Sequence, residues 1–297
     1  IYTGEDTLSL HDALPILNEF SGYIGVALAG ILTSYMALIW GARLGLLIFG
    51  SVVISLALIL AFFLVKETHE WARTEAQQSL KKPQHQQPSK ALGNFPTHPT
   101  TAQMFHLMSW KDRRMAAFCQ AGMVEKFVDA LVWVFYPVFL HQRGLSLNAI
   151  GWIVGIYGFV WGSTQLLTGK LSDHIGRMKP IVWGMWICGL GVGLMLIQDG
   201  MIWWSVSAAI TGFGMALLYP NLGAAVADLS HPNWRGSAIG IYRFWRDLGY
   251  GVGALSFGVV AHFAGAVTAG FWFVSIAMLF SGMLVMLWGE ETHPNIH

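Results

Sequence analysis

The chain has 297 residues, 55% of them apolar and only 11% charged, with 14 Trp, 34 Gly and a mean hydropathy of +0.53. Water-soluble domains run near 45–50% apolar and about 25% charged, so this composition excludes one and reads as an all-α, polytopic membrane protein. A net charge of +1 leaves no electrostatic case for nucleic acid as a partner.

The opening stretch, IYTGEDTLSLHDALPI (1–16), has neither the basic start nor the apolar core of a signal peptide. It is similar to translated sequencing-adapter read-through, the alternative being a polar, disordered tail. On the first reading the protein proper starts at Leu17 and is the C-terminal part of a longer chain. Crossing ~30 Å of hydrocarbon as a helix takes about 20 mostly apolar residues. Eight segments qualify: 17–40, 44–65, 115–140, 149–169, 180–198, 201–227, 237–261 and 267–288. Pro137 and Pro220 are expected at bends, where neighbouring helices re-satisfy the freed backbone groups. Only a break in 201–227 would change the count of eight.

Between the second and third spans lies a hydrophilic stretch, 66–114, rich in Gln, Pro and His. Its start, KETHEWARTEAQQSLKK, reads as a short surface helix and the rest as a flexible linker. This linker carries eight of the 17 Lys and Arg; Lys170, Arg177, Lys179 and Arg235 fall on the same side, against Arg43 and Arg143 on the other. Twelve against two places the linker, and with it both chain ends and the tail 289–297, in the cytoplasm. The expected location is the plasma (cell inner) membrane, with the lipid bilayer as the first partner.

Cys119 and Cys188 lie inside apolar runs without metal-ligand spacing, which predicts free buried thiols. No HExxH, Walker A or GxSxG motif is present. Neither an enzyme nor a bound metal or cofactor is expected.

The loop after the fourth span reads G-K-L-S-D-H-I-G-R-M-K (169–179). It resembles the signature loop of the major facilitator superfamily, roughly G-x-L-[SA]-D-[RK]-x-G-[RK]-[RK], at the place of that family's second copy. His174 and Met178 depart from the basic residues of the pattern. D-L-S-H-P-N-W-R-G-S-A-I-G (228–240) is similar to the family's helix-ten-to-eleven turn. The resemblance implies helices five to twelve of an original twelve. Residues 17–65 would end the N-terminal half, 66–114 would link the halves, and 115–288 would form the six-helix C-terminal half. The remaining N-terminal helices are then partners in the same fold. Gly169 and Gly176 would permit a tight turn, and Asp173, Arg177, Asp228 and Arg235 would pair when the cytoplasmic side is shut. An internal repeat aligns 17–29 with 241–253, matching Phe20 with Phe244, Gly25 with Gly249 and Ala29 with Gly253. Both helices thereby carry a small-xxx-small face for close packing.

Six ionisable residues lie within spans: Glu125, Lys126 and Asp129 in the third, and Arg243, Arg246 and Asp247 in the seventh. One charge at bilayer centre costs about 2.5–3.5 kcal/mol, so six unpaired would cost roughly 15–20 kcal/mol. Three acids against three bases permit full pairing, and the expected pairs join Asp129 or Glu125 to Arg243 or Arg246. Such a network is either a permanent packing device or a proton-coupling and substrate site. Glu19, aligned with Arg243, is a seventh intramembrane candidate. Trp133, Tyr136, Tyr157, Trp161, Gln165, Tyr219, Asn221, Tyr242 and Trp245 are candidate cavity groups, although in-span Trp and Tyr more often pack or anchor. The resulting expectation is a secondary carrier moving a small solute by alternating access, coupled to protons. A carrier-like receptor or scaffold without transport would keep the same fold and need no titrating acid.

Overall fold

The computed structural model describes residues 10–64, 100–230 and 234–292. All regular structure among them is helical. The expected surface helix at the start of the linker and residues 1–9 lie outside the described residues.

Among the described residues ten α-helices follow one another: α1 (Leu10–Trp40), α2 (Ala42–Leu64), α3 (Thr101–His106), α4 (Arg113–Ala130), α5 (Tyr136–Gln142), α6 (Leu147–Ile175), α7 (Met178–Leu194), α8 (Met201–Leu229), α9 (Arg235–Ala264) and α10 (Val267–Trp288). Each expected span coincides with a helix, the third being built from α4, a π-helical turn at Leu131–Phe135, and α5. By length and composition alone, Ala42–Leu64, Met201–Leu229 and Val267–Trp288 are long and apolar enough to cross a membrane. In α4 the in-span charges dilute that signal. The helix α1 starts at Leu10, inside the stretch 1–16 set aside above.

Helices α4 and α6 to α10 form one unit around a shared core. Within it α4 lies against α8, α9 and α10, α6 packs on α8, and α7 lies between α8 and α10. At one end Tyr136 stacks on Phe271 and Phe135 on Phe257, with centroids 5.5 and 3.7 Å apart. Tyr136 is thus core rather than cavity. The helix α1 joins this unit through α6, where Ser34 lies against Gly151, so a Cβ at Gly151 would come within 2.7 Å of Ser34 Oγ. Among the described residues the helix α2 packs chiefly on α1 and leaves nearly all its apolar surface open.

Pro220 does not break α8. Lacking an N–H, it cannot bond the carbonyl of Ala216 four residues back; that oxygen instead accepts the Thr168 hydroxyl of α6 at 2.7 Å. The neighbouring helix thus supplies the missing donor, as expected for a membrane-type bundle.

The end of the linker is more ordered than the sequence reading allowed. Thr100 and Gln103 form a capping box, each side chain bonding the other's backbone N–H, and α3 continues as a π turn at Leu107–Lys111. Met104, Leu107 and Met108 are buried. Phe105 stacks on Trp245 of α9, whose indole N–H donates to Ser109 Oγ at 2.9 Å. Trp245 is therefore an anchor for this segment and not a cavity group. Both cysteines are free and buried.

Candidate functional site

The side chains of Glu125, Lys126 and Asp129 are buried near the C-terminal end of α4. An α-helix brings residues three and four apart to one face, and Lys126 has a stem long enough to reach both acids. Its Nζ lies 2.7 Å from Asp129 Oδ2 and 3.0 Å from Glu125 Oε1. Asp129 is fully engaged, since Tyr157 of α6 donates to Oδ1 at 2.7 Å and Tyr250 of α9 to Oδ2 at 3.1 Å. Glu125 is not: it is 0% exposed, and neither carboxylate oxygen has a hydrogen-bond partner of good geometry among the described residues. The π-helical turn begins at Leu131, two residues beyond Asp129; such turns are frequent at functional sites.

Aromatic rings enclose the ammonium. Lys126 Nζ lies 5.7 Å from the ring centroid of Trp161, 5.0 Å from Tyr219 and 5.3 Å from Tyr250. These rings come from α6, α8 and α9, so the site is assembled by four helices around one cation. Close contact between α4 and α9 makes this possible. A Cβ at Gly249 would collide with the Met123 carbonyl, and one at Gly253 would meet Phe127 at 2.7 Å. The small-xxx-small face expected for this helix is thus in use. Its counterpart at Gly25 has open space around it.

The expected interhelical pairing between acids of one span and arginines of the other is not what the structure has. Lys126 takes both acids within α4. Arg246 pairs with its chain neighbour Asp247 at 2.9 Å and donates to the Tyr219 hydroxyl at 3.3 Å. Arg243 is exposed and makes no ion pair among the described residues. A lysine set between its two acids reaches them without closing the distance between helices, and this local solution wins. Trp133 packs edge-on to Tyr157, and the Tyr242 ring lies against Gly122. Asn221 bonds its own helix at the Leu217 carbonyl, 2.6 Å away, in the turn perturbed by Pro220. Gln165 is buried with Oε1 unpartnered among the described residues. Nothing is described of the Glu19 side chain.

A second polar cluster stands at the opposite end of the unit from Arg143, which is ion-paired with Asp199. Gly176, with φ +91°, ends α6 in a backbone conformation that favours glycine. Gly169 lies inside α6 with open space around it, so the tight turn belongs to Gly176 alone. Arg177 Nε donates to Asp228 Oδ2 at 3.1 Å, and its Nη1 is 3.7 Å from exposed Asp173. Arg235 is exposed at the start of α9 and takes no part among the described residues.

The acid that completes this cluster comes from the tail. Glu291 accepts the backbone N–H of Arg177 at 2.8 Å and that of Met178 at 3.1 Å, capping α7. A carboxylate there satisfies orphan donors at the positive end of the helix dipole. Adjacent Glu290 accepts from Arg114 at 2.8 Å, which ties the same segment to the start of α4. Two carboxylate partners, Asp112 foremost and then Glu290, outweigh the opposing effect of burial and hold the Arg114 guanidinium even more firmly protonated than usual.

The sequence profile of the Major Facilitator Superfamily matches residues 118–297. The chain belongs to that superfamily. Among its relatives in the superfamily, an uncharacterized MFS-type transporter of Salmonella typhimurium is 27% identical over 115 residues, 39% of this chain and 30% of that protein. Citrate exporter 1 of Aspergillus niger is 22% identical over 191 residues, 63% of this chain and 36% of that protein. The chain thus spans about a third of the length of these relatives. A crystal structure of a POT peptide transporter in complex with sulfate matches with a TM-score of 0.51 at 20% identity. It covers 64% of this chain and 41% of that one, and establishes an MFS-like, all-α fold. The chain is an integral membrane protein of that fold.

Two features of the site went unread in the sequence. Tyr250 stands four residues after Arg246 on the same helix face, a spacing that would have flagged it. Glu290 and Glu291 gave no such signal, because their partners are more than a hundred residues away.

Proposed function

We propose that this protein is the second half, with two helices of the first, of a carrier that moves a small solute by alternating access. The substrate site is the cluster around Lys126, near mid-membrane, where intramembrane charge is functional by default. One observation carries the reading: among the described residues Glu125 is a wholly buried carboxylate with no hydrogen bond of good geometry, held by an ammonium it shares with Asp129. A permanent packing device would satisfy that group, because a half-satisfied buried network is worse than an apolar one. A group that exchanges partners during a cycle is left with spare valence. Glu125 is therefore the proton-coupling acid, with Asp129 as the fixed counter-ion of Lys126. The charged and titratable groups around them among the described residues are Lys126 on α4, Tyr157 on α6, Cys188 on α7, Tyr219 on α8, and Tyr242, Arg246 and Tyr250 on α9.

The cluster at Arg177, Asp228 and Glu291 is the cytoplasmic gate, made of exposed or half-buried pairs weak enough to break in each cycle. The basic-residue asymmetry supports this end, and the tail, as cytoplasmic in a plasma-type membrane. Its separation from the Arg143–Asp199 pair at the other end accords with that orientation. Helices outside this chain complete the first half and cover α2.

The test uses everted membrane vesicles from cells producing the protein, acidified by respiration, with a quenched acridine dye reporting proton release as solute pools are added. The wild type releases protons with at least one pool, and E125Q abolishes the response with normal membrane levels. Normal insertion with no response to any pool refutes proton-coupled transport; a response unchanged in both E125Q and D129N refutes Glu125 as the coupling acid.

A further inference from the structure

The same site also points to the charge of its substrate, an inference that rests on the carrier reading above. The buried trio of Glu125, Lys126 and Asp129 carries two negative charges and one positive. The nearest further base, Arg246, is already neutralised by Asp247 at 2.9 Å and held by Tyr219 at 3.3 Å. Arg243 stands seven residues before Tyr250, about 10 Å along α9 toward the gate. The site is thus one positive charge short, and Glu125 holds the unfilled valence.

Its walls suit a cation. Three ring faces converge on Lys126 Nζ at 5.0–5.7 Å, the arrangement that stabilises ammonium and repels anions. On the side that opens away from the core stand Tyr250, 42% exposed, and Asp247, whose side chain is 57% exposed. A ligand entering there meets an aromatic face and a carboxylate first, and two more carboxylates behind. An anion would meet the same groups and gain no unpaired base among the rings.

We propose that the site binds an organic cation, an amine or ammonium attached to an apolar body, seated between Tyr250 and Asp247 and compensated by Glu125. Lys126 occupies the inner part of the cage as a tethered cation, which is why the cage persists without a ligand.

The experiment measures binding, not flux, to the purified full chain in lipid nanodiscs. Tritiated tryptamine and tritiated tetraphenylphosphonium serve as cations. Tryptophol and indole-3-propionate serve as the neutral and anionic counterparts of tryptamine. At least one cation binds saturably, and the propionate and tryptophol compete about tenfold or more less well than tryptamine. E125Q weakens the cation about tenfold; Y250L, at the exposed rim, weakens it several-fold and lowers the melting temperature by only a few degrees for the hydroxyl bond to Asp129 that it gives up, which keeps the test valid if E125Q misfolds. Absence of binding by both cations overturns the proposal. So does propionate binding as tightly as tryptamine, or cation binding unchanged in both variants. Cation binding without proton release from any pool in vesicles would refute the proton-coupled carrier reading and leave the cation site standing. Proton release by anionic pools alone would do the reverse.

Discussion

Replacing Lys126 with Met removes the only base that, among the described residues, touches either buried acid, and keeps most of the stem's volume. Lys126 Nζ lies 3.0 Å from one carboxylate and 2.7 Å from the other. At an effective dielectric near 20 each contact is an attraction of about 5–6 kcal/mol. Much of that is offset by the desolvation of all three groups, and removal of one partner from a buried ion pair costs about 3–5 kcal/mol net. With roughly 2–4 °C per kcal/mol for a domain of 150–250 residues, K126M should melt roughly 6–20 °C below the wild type. Thermal unfolding followed by size-exclusion chromatography of detergent-solubilised protein reads this directly. The loss originates in two uncompensated carboxylates, so adding E125Q and D129N to K126M should recover at least half of it. The remainder reflects buried amides with incomplete partners, about 1–3 kcal/mol. A K126M protein melting within about 2 °C of the wild type would refute the reasoning, as would a triple variant no more stable than the single.

Other consequences follow from neighbouring features. T168V leaves the Ala216 carbonyl of α8 without a donor and should destabilise by about 1–3 kcal/mol. The effect should shrink when P220A restores the helix's own N–H, which a double-mutant cycle in melting temperature would detect. G249L drives a side chain into the Met123 carbonyl and should cost more than the ~1–3 kcal/mol of ordinary overpacking, separating α4 from α9; the check is loss of a cross-link between cysteines placed on those two helices. E291Q weakens the cap of α7 by about 0.5–2 kcal/mol. In the carrier reading it also loosens the gate, so a cysteine at Ser172 should react faster with a membrane-impermeant maleimide. Unchanged labelling would remove Glu291 from the gate.

The legible part of this molecule was the part governed by local composition. Helix ends agree with the sequence reading within a few residues except at α1 and α6, because apolar runs and loop charges mark them. The bond from Thr168 to the Ala216 carbonyl realises an expectation drawn from Pro220 alone. The capping box of Thr100 and Gln103 was equally local but was obscured by the polar run preceding it. What stayed illegible was partner choice. Composition permitted either Lys126 or the arginines of the other helix to neutralise the acids, and only the positions of the backbones decide between them. The docking of Glu291 on α7 likewise depends on two chain ends meeting in space. Gly169 shows the converse error, a motif position assigned to a turn that the helix simply runs through.

The contact at Gly249 and Gly253 has a mechanical meaning. Two helices touching backbone to side-chain root have no flexible layer between them to shear, so α4 and α9 behave as one plate. Lys126, its two acids and the Tyr250 ring are all mounted on that plate. In the carrier reading proposed above, rocking would then turn this surface intact from access on one side of the membrane to access on the other. Any difference in affinity between the two orientations must be supplied by whatever faces the plate, and by water, rather than by reshaping the plate itself.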